Sequence, residues 1–206
     1  MSLTILIPAA GNATRMRGGD KLLELVAGET MLRRQARIAR SVCTDVIVTL
    51  RTPDPVRSDC LKGLDVTILP VPDAAEGMAA SLRAGAARAT GALMVLPADM
   101  PEITEMDLRR LIAAFDQSYI LRACDACGTP GHPVIFPADL VAELSALHGD
   151  EGARAVLQRH RDRAHLITLP DQHATLDLDT PEAWATWRAR RGEEGGLPDH
   201  GTPPRT

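Results

Sequence analysis

Short, wholly apolar runs alternate with segments of helical spacing along most of the chain. This alternation restricts the possible folds more than any other feature. Leu3–Ile7 is apolar throughout and stops at Pro8 and Gly11, as expected of a buried strand. Residues 30–41 carry Met31, Leu32, Ala36, Ile38 and Ala39 at helical spacing, interleaved with Arg33, Arg34, Arg37 and Arg40. That arginine series reads as a solvated helix face. Strands are predicted at Asp45–Leu50, Val66–Leu69 and Ala92–Leu96, with a helix over 77–89 that begins at a glycine. Thr104 is a candidate N-cap, with Asp107 as a weak capping-box acid, for a helix ending near Phe115. Tyr119–Ala123 and Pro133–Phe136 are strand-like, with a Gly/Pro turn between them. Helices follow at 138–147 and 151–161, then a strand at His165–Leu169, and Pro181 suits the first turn of a last helix. Continuous apolar strands alternating with helices predict a single-domain α/β fold, a mostly parallel twisted sheet with helices on both faces.

Composition narrows the function classes. The 206 residues carry 23 Lys+Arg against 27 Asp+Glu, a net charge of −4, which disfavours nucleic acid as a partner. Aromatics are only 2%, too few for base-stacking platforms, and the core must be built from Ala, Val, Leu and Ile. No stretch approaches the roughly 18 apolar residues of a membrane helix, and the first apolar run is too short for a signal peptide. Four cysteines without a secretory signal favour free thiols and a cytoplasmic location. Residues 192–206 are rich in Gly, Pro and charge and are expected to be a disordered tail, leaving a domain over 1–191.

In a parallel α/β sheet ligands bind beyond the carboxyl ends of the strands. After the first strand come Ala9, Ala10 and Gly11, then Asn12 to Arg15, and finally Gly18, Gly19, Asp20 and Lys21. Small residues allow close backbone approach to phosphate oxygens, and Arg15 and Lys21 add fixed positive charge. Composition alone weighs an ordinary Gly-rich loop equally. The segment is neither a Walker loop nor a GxGxxG.

This loop resembles the N-terminal signature of the MobA-like nucleotidyltransferases, A-A-G-x-S-x-R-M-G followed by a lysine. Five further segments are similar to that family's motifs, in order: Gly77-Met78-Ala79-Ala80-Ser81-Leu82; Leu96-Pro97-Ala98-Asp99-Met100-Pro101; Pro130-Gly131-His132-Pro133-Val134 with Phe136; Gly149-Asp150 with Gly152-Ala153-Arg154; and Asp177-Leu178-Asp179-Thr180-Pro181. The set covers about residues 3–187 and most resembles the molybdenum cofactor cytidylyltransferase branch. Three departures stand out: Ala13 replaces the family serine, Arg17 the glycine after Arg-Met, and Pro8 a leucine. Pro-Ala-Ala-Gly is more typical of methylerythritol phosphate cytidylyltransferases, but those place Pro-Lys-Gln where this chain has Asp20-Lys21-Leu22.

The resemblance implies a Rossmann-like nucleotidyltransferase fold and Mg²⁺-dependent transfer of a cytidylyl group from CTP to molybdopterin, with release of pyrophosphate. It implies a molybdenum hydroxylase or its maturation factor as a protein partner. Alternatives are guanylyl transfer to molybdopterin, cytidylyl transfer to a methylerythritol phosphate, and a non-catalytic nucleotide-binding accessory of molybdenum enzymes. Arg15, Lys21 and Asp99 are the expected catalytic residues. Ala9, Ala10, Gly11, Lys21, Gly77, Met78 and Ser81 would meet the nucleotide. Gly131, His132, Asp150 and Arg154 would meet the acceptor, dividing the chain near residue 101 into nucleotide and acceptor halves.

Asp99 follows a buried strand and is the leading metal ligand; Asp179 is second and Asp177 third. Two residues apart on an extended chain, Asp177 and Asp179 are expected to face opposite sides, so that one of them reaches the metal. Capping of the Pro181 helix is the alternative role for Asp179. Cys124-Asp125-Ala126-Cys127 lacks the partner ligands of a structural zinc site and reads as two turn-region thiols.

Overall fold

The computed structural model describes residues 2–11, 16–148 and 152–192. Strand β1 (Leu3–Pro8) is followed by a short hairpin, β2 (Leu25–Val26) and β3 (Glu29–Thr30), and helix α1 (Met31–Val42). Then come β4 (Val46–Arg51), α2 (Pro55–Cys60), β5 (Thr67–Val71), α3 (Met78–Ala86) and β6 (Ala92–Val95). The second half holds α4 (Glu105–Ala114), β7 (Ile120–Cys124), β8 (Pro130–Phe136), α5 (Ala138–Ser145), α6 (Gly152–Arg159), β9 (Ala164–Thr168) and α7 (Pro181–Arg191).

Seven strands form one sheet in the order β5-β4-β1-β6-β8-β7-β9. All neighbours run parallel except β8, which is antiparallel to both β6 and β7. The short Cys124–Pro130 link explains this exception, because a parallel partner would need a crossover of a dozen or more residues. The reversal brings the start of β8 to the edge where β6 and β7 end, since Val134 pairs with Val95.

Alternation along the central strands builds a core on each face. Ile5 and Ile7 of β1, with Met94 of β6, pack against Leu32, Ala36 and Ala39 of α1 and Leu108 and Leu111 of α4. Leu6, Leu93 and Val95 point the other way, onto Ala79, Leu82 and Ala86 of α3 and the apolar sides of α5 and α6. Each fully buried Leu or Ile contributes about 1.5–3 kcal/mol. The edge strands β5 and β9 remain largely exposed, so the continuous burial inferred from sequence holds only for the inner strands.

The α4 start behaves as its sequence predicts. Thr104 accepts from the Asp107 amide, and the Asp107 carboxylate accepts from the Thr104 amide. Three of the four α1 arginines are engaged rather than simply solvated. Arg33 donates to the Cys60 and Lys62 carbonyls at 2.8 Å each, Arg37 pairs with Glu29, and Arg40 with Asp65. The hairpin β2–β3 and helix α2 have no counterpart in the sequence prediction.

Candidate active site

Strand order reverses at β1: β4 and β5 lie to one side and β6 to the other. Cover passes from α1 to α3 at this point, leaving a crevice beyond the carboxyl ends of β1 and β6. A cavity of about 170 Å³ sits there, lined by Ala9, Gly11, Lys21, Gly77, Ser81 and Asp99 together with Arg57. A second cavity, of about 290 Å³, adjoins it over the ends of β6, β7 and β8. Met78, Pro97 and Asp99 line both.

Several predicted nucleotide residues meet at the first cavity. Ala9 and Gly11 form its wall, while Ala10 packs behind them against Val71 and Ala80. Gly77 adopts φ 84°, a conformation that L side chains rarely take, and it turns the chain into α3. No side chain caps that helix, and Gly77, Met78 and Ser81 at its start line the crevice. Ser81 is buried and Met78 is half exposed. Arg15 lies outside the described residues. Arg17, at the family glycine position, has φ 51°; the chain keeps the left-handed geometry a glycine would take there, at a steric cost of roughly 1–2 kcal/mol.

Lys21 reaches from this wall to two carboxylates. Its Nζ donates to Asp99 Oδ2 at 2.6 Å and to Asp179 Oδ1. Burial disfavours the ammonium, but the Asp99 charge and the hydrogen bonds to both aspartates outweigh it, raising the Lys21 pKa. Asp99, Asp177 and Asp179 each offer an oxygen, and these oxygens lie within 4.8 Å of one another. The expectation that only one of Asp177 and Asp179 reaches the cluster is therefore corrected. An extended chain repeats every two residues, so positions 177 and 179 share a side. Leu178 between them turns into the core beside Trp184. Partial burial, then the charges of Asp179 and Asp99, push the Asp177 carboxyl above its usual range, with Lys21 opposing them. The cap of α7 comes from Thr180, whose Oγ1 accepts from the Ala183 amide, which leaves Asp179 to the cluster. Three convergent hard oxygen donors suit Mg²⁺ or Mn²⁺.

The second cavity gathers the β8 residues. His132 lines it; burial, then the nearby Arg122 charge, lowers its pKa to about 4, against an opposing pull from Asp99. The ring is therefore neutral at physiological pH. Gly131 has a packing reason: a Cβ there would overlap the Ala174 carbonyl oxygen, which accepts from the His132 amide at 2.8 Å. Arg154 is exposed on α6; burial, then the Arg154 charge, lowers the Arg122 pKa. Asp150 lies outside the described residues. Cys124 is buried at the end of β7, and Cys127 is exposed in a turn whose Cys127 and Thr129 amides donate to Asp125.

Arg57 was not signalled by the sequence. It is 1% exposed, donates to the Ala9 and Gly11 carbonyls at 2.6 and 2.9 Å, and grips the Asp20 carboxylate at 2.7 and 2.9 Å. It thereby ties the two ends of the Gly-rich loop together and fixes Asp20, the neighbour of Lys21. Nothing in the residue pattern around Pro55 marks an arginine that folds inward. Arg122 was likewise not foreseen.

The strand order and the crevice define an α/β protein of the nucleotidyltransferase type. The MobA-like NTP transferase domain model matches residues 5–164, and the chain belongs to that family. It is 27% identical over 192 residues to the nicotine blue oxidoreductase of Paenarthrobacter nicotinovorans, covering 87% of this chain and 93% of that protein. It is 28% identical over 117 residues to the purine catabolism protein PucB of Bacillus subtilis (strain 168), covering 54% of this chain and 56% of PucB's length. The solved structure of Rv0371c from Mycobacterium tuberculosis H37Rv superposes with a TM-score of 0.78 at 28% identity, covering 90% of this chain and 97% of the other. Rv0371c has also been solved in complex with manganese; that form gives a TM-score of 0.72 at 27% identity, with the same coverage.

Proposed function

We propose that this nucleotidyltransferase moves a cytidylyl group from CTP to a molybdopterin-type acceptor, using Mg²⁺ held by Asp99 and Asp179 with Asp177 beside them. The observation that carries this reading is the meeting of two cavities at Asp99, beside Lys21 and the other two carboxylates. A transfer between two substrates needs two adjoining compartments with the charged groups at their junction. The choice of cytosine and of molybdopterin rests on the resemblance of the motifs. The manganese complex of Rv0371c supports a divalent ion.

The triphosphate lies against the Ala9–Gly11 turn and the amides that open α3. Lys21 leaves the aspartates for the phosphates, and the loop closed by Arg57 keeps its backbone in place. An oxygen of the acceptor phosphate attacks the α-phosphorus, and the bond from the α-phosphorus to the oxygen bridging α and β breaks. Pyrophosphate departs with that electron pair. The attacking oxygen is already anionic, so no base has to remove a proton, and the task of the site is alignment and charge suppression. Bound Mg²⁺ would supply Lewis-acid stabilisation of the phosphoryl charge. Neutral His132 can offer the acceptor a hydrogen bond without changing the charge balance.

A second reading follows from the match along nearly the whole nicotine blue oxidoreductase, a redox protein by name. It predicts a redox reaction, which gives the three carboxylates no task. The deciding experiment measures pyrophosphate release with each nucleoside triphosphate, with and without molybdopterin. Release with CTP that requires the acceptor is the expected result. No pyrophosphate from any triphosphate would overturn it.

A further inference from the structure

Among the described residues that line the second cavity, Arg122 carries a positive charge that no carboxylate pairs with. Arg122, on β7, lines that cavity together with Gly131 and His132. Its Nε donates to the Gly131 carbonyl at 3.0 Å and one Nη to the Pro130 carbonyl at 3.2 Å. These bonds fix the plane of the guanidinium and use two of its five N–H donors. Among the described residues neither Arg122 nor Arg154 has an ion-pair partner, whereas Arg57, Arg83, Arg159, Arg163 and Arg188 are all paired with acids. Burial and then the Arg154 charge disfavour the Arg122 cation, and the neutral His132 ring does nothing to relieve that.

We propose that Arg122 is the specificity-determining anchor for the acceptor, binding a phosphate monoester dianion. The inference rests on the nucleotidyl-transfer reading and adds to it the residue that selects the acceptor's chemical class. A guanidinium held by two carbonyls presents its remaining donors as a planar fork, which matches phosphate oxygens better than a hydroxyl or an amine. The dianion lies between Arg122 and the junction where Asp99, Asp177 and Asp179 would hold a metal. That geometry favours a phosphate monoester over an acceptor whose attacking group is an uncharged alcohol.

Two titrations of the full chain separate this proposal from the reading beneath it. Phenyl phosphate alone is the probe for the anchor; the α,β-methylene analogue of CTP, with Mg²⁺, is the probe for the nucleotide cavity. Arg122→Gln is expected to weaken phenyl phosphate at least tenfold, Arg122→Lys to restore part of the loss, and both to bind the CTP analogue as wild type does. In the wild-type protein the Arg122 Nε–H resonance is expected to shift as phenyl phosphate is added, a readout that needs no variant. Unchanged phenyl phosphate affinity in Arg122→Gln, or an Arg122 resonance that ignores the probe, overturns the proposal. A CTP analogue that fails to bind while phenyl phosphate still depends on Arg122 overturns the nucleotide reading and leaves the anchor standing.

Discussion

In the proposed reading Lys21 stands where the divalent ion would sit. Its ammonium is bound to both Asp99 and Asp179, and the side chains of all three residues are about one-fifth to one-quarter exposed. An ion entering among the carboxylates must displace it. Each charge-assisted hydrogen bond is worth about 1.5–3 kcal/mol, and the freed ammonium recovers hydration, so the net penalty is of the order of one such bond. At about 1.4 kcal/mol per power of ten, the lysine weakens metal binding by roughly 10- to 100-fold. Lys21→Met removes the competitor and keeps most of the stem. Titration with Mn²⁺, followed by the electron paramagnetic resonance signal of the free ion, is expected to show that variant binding Mn²⁺ about 10- to 100-fold more tightly than wild type without nucleotide. CTP should tighten Mn²⁺ binding strongly in wild type, because the triphosphate takes up the lysine, and much less in the variant. Equal or weaker Mn²⁺ binding by a folded Lys21→Met protein would refute the competition.

Other consequences are equally accessible. Asp99→Asn keeps the size of the side chain and removes its charge, and turnover at ordinary Mg²⁺ should fall by roughly two or more powers of ten, read as pyrophosphate release. Gly131→Ala forces a methyl group onto the Ala174 carbonyl, so thermal unfolding should show a clear drop in midpoint even where the variant remains folded. His132 is held near pKa 4 in the folded chain against about 6.5 unfolded, so the unfolded state binds the extra proton between those values. Its contribution is therefore full above pH 6.5 and is lost as pH falls toward 4. Urea unfolding of wild type should lose up to about 3 kcal/mol more over that range than His132→Gln, less what partial solvation of the ring removes.

The sequence made the inner architecture legible because the physics there is local. Apolar runs at β1, β4 and β6 and the Thr104–Asp107 cap declare themselves within a few residues. The hairpin β2–β3 and helix α2 are too short for periodicity to register, and the antiparallel β8 follows from a link length rather than a pattern. At the site, motifs nominated Asp99, Asp179 and Lys21 separately; only the fold brings positions 21, 99 and 179 together. Asp177 was misjudged through the strand period itself, which puts alternate residues on one side. Arg57 and Arg122 were invisible because an arginine that turns inward to grip carbonyls has the same local sequence as one that faces water.

The location of a metal ion relative to nucleotide is the most direct measurement. Crystals grown with Mn²⁺ and the α,β-methylene analogue of CTP would give the ion's position from its anomalous scattering. The predicted result is one peak about 2.1 Å from an oxygen of Asp99 and an oxygen of Asp179, with the triphosphate along the Ala9–Gly11 turn and Lys21 swung onto it. Manganese bound away from these carboxylates, or the nucleotide seated outside the crevice between β1 and β6, would contradict it.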